Sequence, residues 1–127
     1  LDQRIRFLGE RRDVPRLLQG ADLLCQPNLT PEPFGIAFIE ALYAGIPVVT
    51  SDAGGAREIV TGECGALLPM GDGPALRAAL QDLVDDPIRR KRLGSAGLAR
   101  ARSLADPAVQ IERLERVLAA CVEEAVA

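Results

Sequence analysis

Pro27-Asn28-Leu29-Thr30-Pro31-Glu32-Pro33-Phe34-Gly35-Ile36-Ala37-Phe38-Ile39-Glu40-Ala41-Leu42-Tyr43-Ala44-Gly45-Ile46-Pro47-Val48-Val49-Thr50-Ser51 carries the pattern that decides the fold. It opens on a loop stiffened by three prolines. The apolar stretch Phe34–Ala44 predicts a helix closed by Gly45. Pro47–Ser51 then predicts a strand, a short β-branched run bounded by turn residues. This strand lacks strict alternation, as expected where a parallel sheet is covered on both faces.

The same alternation extends in both directions. Arg4–Leu8, Asp22–Gln26 and Gly65–Leu68 are further short apolar runs that predict strands. Asp13 is placed to cap a short helix with Pro15 in its first turn, ending at Gly20. Ala56–Val60 predicts another short helix. Leu76, Ala79, Leu80, Leu83 and Val84 recur at helical spacing. Pro87 ends that helix and starts the next, which runs through Leu93 toward Leu98 and Ala101. Asp106-Pro107 caps a final helix with the stripe Ile111, Leu114, Leu118, Cys121, Val122 and Ala125. The fold class is therefore α/β, a Rossmann-like parallel sheet flanked by helices, and wholly helical after about residue 73. In such sheets ligands bind beyond the carboxyl ends of the strands. The loops of interest are thus Gly9–Val14, Pro27–Phe34, Asp52–Gly55 and Pro69–Gly73.

Composition narrows the chemistry. The chain has 127 residues, 48% of them hydrophobic, too apolar for intrinsic disorder. The formal net charge of −3 and an aromatic content of 3% argue against nucleic acid as a partner. Histidine is absent, so imidazole bases and His metal sites are excluded. Cys25, Cys64 and Cys121 form no CxxC pair, which argues against a disulfide framework or a thiolate zinc site. Cys25 and Cys121 sit in apolar runs and read as core residues. A reducing compartment, the cytoplasm, is the simplest expectation. The start at Leu1, close to a strand-like run, predicts a piece of a longer protein.

Two acids flank the predicted entrance of the Phe34–Ala44 helix. Glu32 precedes it and Glu40 lies inside it among Ile36, Phe38, Ile39, Ala41 and Leu42. The first-turn N–H groups of Phe34, Gly35 and Ile36 lack intrahelical partners and suit an anion or sugar oxygens. Gly35 permits close approach to the backbone. A carboxylate at Glu40, if enclosed by those apolar neighbours, requires donors, and ligand hydroxyls could supply them. Taken alone, Glu40 also fits an ordinary surface carboxylate. Eight helical residues span about 12 Å, whereas glycosidase carboxyl pairs stand roughly 5–9.5 Å apart. Glu32 and Glu40 therefore suit opposite ends of an extended ligand.

Glu32-x7-Glu40, with Phe34-Gly35 after the first acid, and Glu40-Ala41-Leu42-x-Ala44-Gly45-x-Pro47-Val48-Val49 after it, resembles the nucleotide-sugar site of the group 1 glycosyltransferases. So do Asp52-Ala53-Gly54-Gly55-Ala56-Arg57-Glu58-Ile59-Val60, Gly62, Gly65–Leu68, Phe7-Leu8-Gly9 and Asp22. The resemblance implies a GT-B enzyme that transfers a sugar with retention of anomeric configuration. Residues 1–127 would be part of its C-terminal nucleotide-sugar-binding domain. It implies that Glu32 contacts the donor sugar near the anomeric centre and is the catalytic residue of this segment. Phe34, Gly35 and Ile36 would bind sugar and diphosphate oxygens, and Glu40 the ribose. The base would lie near the loop after Gly9. Glu58 and Gly54-Gly55 would be structural first. No cofactor and no metal are expected.

Parts of the family pattern are missing. The basic Arg and Lys pair that reaches the diphosphate, the first strands of the donor domain and the N-terminal acceptor domain have no counterpart in residues 1–127. Alone, this segment is expected not to catalyse transfer. Pro33 removes one backbone donor beside the site. Cys64 stands in a turn where the family has a polar residue. Gly71-x-Gly73 lacks the third glycine of a dinucleotide loop, since position 76 is Leu76. Arg89-Arg90-Lys91-Arg92 next to Asp85-Asp86 reads as a solvated helix face, with acceptor or peripheral membrane contact as the other reading. The last helix could pack toward another domain or form a homodimer. The alternatives are a non-catalytic nucleotide-sugar-binding module, or another GT-B enzyme such as an epimerase or phosphorylase. Lys91, the only lysine, is poorly placed for a phosphorylase's pyridoxal group.

Overall fold

A computed structural model describes residues 4–126, with side-chain surroundings described through residue 122. The chain order is α1 (Val14–Gln19), β1 (Leu24–Gln26), α2 (Ile36–Tyr43), β2 (Val48–Ser51), α3 (Ala56–Ile59), β3 (Gly65–Leu68), α4 (Gly73–Asp85), α5 (Pro87–Ala105) and α6 (Pro107–Val126). The three strands form one parallel sheet in the order β1-β2-β3. Gln26 is in register with Thr50, and Ser51 with Leu68. The carboxyl ends of all three strands therefore lie together.

Burial on both faces explains the unbroken apolar run of β2. All four of its residues are buried. Val48 belongs to a cluster with Phe38, Leu42, Ala56, Ile59 and Ala101, drawn from α2, α3 and α5. Val49 belongs to a second cluster with Leu83 and Leu93, from α4 and α5. Alternate residues of one strand thus serve two cores, as the period of 2 requires. The edge strand β1 is only half covered. Gly94 of α5 lies against the backbone of Gly45, just past the end of α2, and Gly97 lies against Leu42. Small residues bring α5 close enough to seal the first core.

Asp72, Asp86 and Asp106 cap α4, α5 and α6 with side-chain oxygens that accept from Ala75 N–H, Arg89 N–H and Ala108 N–H. Asp13 departs from that rule. It stands at the N-cap of α1, but its side chain accepts no capping bond. Both carboxylate oxygens accept instead from the Arg11 guanidinium, at 2.7 and 2.6 Å. This pairing holds the Asp13 carboxyl below its ordinary range and the Arg11 guanidinium above its own.

Two further expectations are corrected. Arg4–Leu8 forms no strand: residues 5–9 join no ladder, and Phe7 is 95% exposed. Apolar alternation cannot make a strand without a neighbour to pair with. Cys25 and Cys121 are exposed, whereas Cys64 is buried. Cys25 lies on the half-covered edge strand and Cys121 on α6. Cys64 closes the turn before β3, where its sulfur accepts from Thr61 N–H at 3.3 Å. The apolar stripe of α6 is exposed at Ile111, Leu114, Leu118 and Val122, and no expectation placed it in this core. Ala125 lies beyond the residues whose side-chain surroundings are described. No described helix is long and apolar enough to cross a membrane.

Candidate functional site

The loop from β1 to α2 is strapped to the end of β2. Thr50 Oγ1 donates to the Gln26 carbonyl at 2.8 Å, and Ser51 Oγ donates to the Asn28 carbonyl at 2.7 Å. Both hydroxyl residues are buried. Their bonds remove the cost of enclosing polar groups and fix the chain where it leaves the sheet. Further along, Glu32 pairs with Gly54 in an isolated parallel bridge, and Gly55 N–H donates to the Glu32 carbonyl at 2.8 Å. Gly54 has φ +61°, and a Cβ there would collide with the Glu32 backbone. The Gly54-Gly55 pair is thus structural, as expected: it lets two loops lie backbone to backbone.

The helix begins later than the sequence pattern predicts. Gly35 is the N-cap of α2, with φ +95°, and Phe34 lies outside the helix. Gly35 is needed twice: its backbone is left-handed, and a Cβ would come within 2.5 Å of the Phe38 ring. No side chain caps this entrance. Among the described residues the N–H groups of Phe34, Gly35 and Ile36 have no hydrogen-bond partner. Phe34 and Ile36 are exposed, so their side chains do not close the entrance.

The two acids have different surroundings. Glu32 is half-buried. Its Oε2 accepts from Gln26 Nε2 at 3.2 Å and from Asn28 Nδ2 at 3.4 Å. Glu40 is exposed and has no side-chain partner among the described residues. Of the two readings of its surroundings, the surface carboxylate is the one observed. Phe38, Ala41 and Leu42 turn into the core, and Glu40 lies on the opposite face of α2. There it borders a depression of about 250 Å³ with Pro15, Leu18, Gln19, Tyr43 and Ala44. Gly9 does not line this depression, so the predicted nucleotide pair Gly9 and Glu40 is not brought together there.

A second cavity, of about 310 Å³, opens at the carboxyl ends of the strands. Pro27, Asn28, Ser51, Leu68, Pro69 and Leu76 are among its walls. Asn28 touches both this cavity and Glu32. Sequence reasoning passed over Gln26 and Asn28. Their one visible signal is polarity at the end of an apolar strand. Among the described residues no three His, Cys, Asp or Glu side chains cluster as a metal site would require.

Known proteins share this chain's sequence pattern and fold. Residues 1–100 match the family described as glycosyl transferases group 1. The phosphatidyl-myo-inositol mannosyltransferase of Mycobacterium leprae is 41% identical over 105 residues, which cover 80% of this chain and 28% of the relative. A GDP-mannose-dependent monoacylated alpha-(1-6)-phosphatidylinositol monomannoside mannosyltransferase of Corynebacterium glutamicum is 35% identical over 126 residues, 93% of this chain and 33% of the relative. The chain thus spans about a third of the length of these relatives. Among solved structures, Anabaena HepE in complex with UDP superposes with a TM-score of 0.89 at 32% identity, covering 94% of this chain and 33% of HepE. HepE was also solved with UDP-glucose. The three parallel strands and their helices are the Rossmann-like architecture of the C-terminal part of GT-B enzymes. On sequence and fold together, the chain belongs to the group 1 glycosyltransferases.

Proposed function

We propose that the whole protein transfers a sugar from a nucleotide-diphosphate donor to an acceptor with retention of configuration, and that this chain supplies most of the donor site. One observation carries the reading: the entrance of α2 is open and uncapped, with a held acid before it and a free acid inside the helix. Unpartnered N–H groups at a helix N-terminus suit the sugar and diphosphate oxygens. They are fixed before the substrate arrives, and so stabilise the negative charge that grows on the departing diphosphate without reorganisation. Glu32 contacts the sugar hydroxyls near the anomeric carbon. Glu40 accepts from the ribose hydroxyls. The acceptor attacks from the face that the diphosphate leaves. The acceptor domain and the basic diphosphate-binding pair belong to the rest of the protein.

The relative named for GDP-mannose and the neighbour solved with UDP-glucose supply the first donors to try. Removing one charged hydrogen-bonding partner forfeits about 1.5–3 kcal/mol. Glu40→Ala in the whole protein should therefore weaken donor affinity roughly 10- to 150-fold. Steady-state kinetics with each donor reads this as a raised KM. Unchanged kinetics would reject the assignment of Glu40.

A further inference from the structure

We infer that Gln26 and Asn28 are positioning residues that aim the Glu32 carboxylate at the donor. The inference rests on the reading of Glu32 as a donor-contacting acid and deepens it. The three side chains form a closed triangle. Gln26 Nε2 donates to Asn28 Oδ1 at 3.3 Å and to Glu32 Oε2 at 3.2 Å. Asn28 Nδ2 donates to Glu32 Oε2 at 3.4 Å. The donor directions are mutually consistent. An ionised carboxylate only accepts, so both amide NH2 groups turn toward it, and the Asn28 carbonyl is left to take the second Gln26 hydrogen.

The triangle is anchored from below. Gln26 is the last residue of β1, in register with Thr50. The carbonyls of Gln26 and Asn28 are held by the buried hydroxyls of Thr50 and Ser51. The Glu32 backbone is held separately by Gly55. Main chain and side chain of Glu32 are thus fixed from different elements, as a precise reacting geometry requires. Both amides bind the same oxygen. Glu32 Oε1 has no hydrogen-bond partner among the described residues, and it is the oxygen this arrangement leaves for a sugar hydroxyl.

Loss of aim should appear in turnover before binding, because a small displacement at the reacting centre raises the barrier. The test uses the whole protein and Gln26→Met, which keeps the length of the side chain and removes its donors. Asn28→Ala is the second variant should Gln26→Met not fold. Sugar transfer is followed as release of nucleotide diphosphate from UDP-glucose or GDP-mannose, whichever the parent turns over. Binding of the matching free nucleotide, UDP or GDP, is measured by calorimetry. Neither nucleotide carries the transferred sugar, so neither reports on the contact of Glu32 with it.

The expected result is a kcat about tenfold lower, with donor KM and nucleotide affinity within twofold. Parallel loss of kcat and nucleotide affinity would show a merely structural role and overturn the inference. So would unchanged kcat. Glu32→Gln separates the two levels. Full turnover in Glu32→Gln overturns the donor-site reading and the positioning role with it. Loss of turnover in Glu32→Gln alongside intact turnover in Gln26→Met overturns the positioning role alone.

Discussion

Gly54→Ala is the most informative perturbation because it links the stability of the fold to the placement of Glu32. Gly54 has φ +61°, and a Cβ there would press on the Glu32 backbone oxygen and lie 2.9 Å from the Glu32 nitrogen. Both neighbouring atoms are backbone, so no side chain can swing aside. The left-handed conformation alone costs alanine about 1–2 kcal/mol. Pushing Glu32 away also breaks the bond from Gly55 N–H to the Glu32 carbonyl, about 1 kcal/mol more. The total is about 2–3 kcal/mol, roughly 6–12 °C in Tm for a domain of this size. Gly45→Ala is the matched control. Its φ is +75°, with nothing within 4 Å of the added Cβ, so it carries the backbone penalty without the collision. Thermal unfolding of both variants, followed by circular dichroism, should place Gly54→Ala clearly below Gly45→Ala. Equal losses would mean that the close approach of the two loops carries no energetic weight, and the account of how Glu32 is held would fall with it.

Phe38 is fully buried between α2 and the sheet, so Phe38→Ala should cost about 3–5 kcal/mol; a urea midpoint near that of the parent would contradict the core described above. Iodoacetamide on the folded chain should modify Cys25 and Cys121 and spare Cys64. Partial desolvation on the half-covered edge strand pushes the Cys25 thiol up while leaving it accessible, so its labelling should quicken as pH rises above neutral; mass spectrometry reads both outcomes. Because Arg11 lowers the Asp13 carboxyl, the stability this pair contributes is present above the ordinary carboxylate range and is lost as pH falls through the folded-state value. In an NMR titration, Arg11→Ala should move Asp13 upward; an unmoved carboxyl would break that attribution.

The parts of the fold that were legible in the sequence are those set by local chemistry. Pro87 and Asp106-Pro107 mark helix starts because proline suits the first turn and an acid before it can cap that turn. The β2 run was legible because burial on both faces leaves no polar alternation. What could not be read depends on neighbours distant in sequence. Arg4–Leu8 has a strand's composition without a strand's partner. Cys25 and Cys121 are apolar in context but lie on uncovered faces. Apolar letters on either side of Glu40 left its burial open, because a helix turns consecutive residues to different sides. The Gln26–Asn28–Glu32 triangle needs the bend of the loop, which Thr50 and Ser51 fix from another strand.

The strand order β1-β2-β3 has a consequence for biogenesis. Among the described residues, β2 and β3 each lie beside the strand synthesised just before them, and no later described segment has to be threaded between two that have already joined. The sheet can be laid down in the sequence in which the ribosome delivers it, each crossover closing a short loop at modest entropic cost. Nascent chains arrested after Leu68 would then already contain all three described strands, while the helices that cover their second face were still emerging.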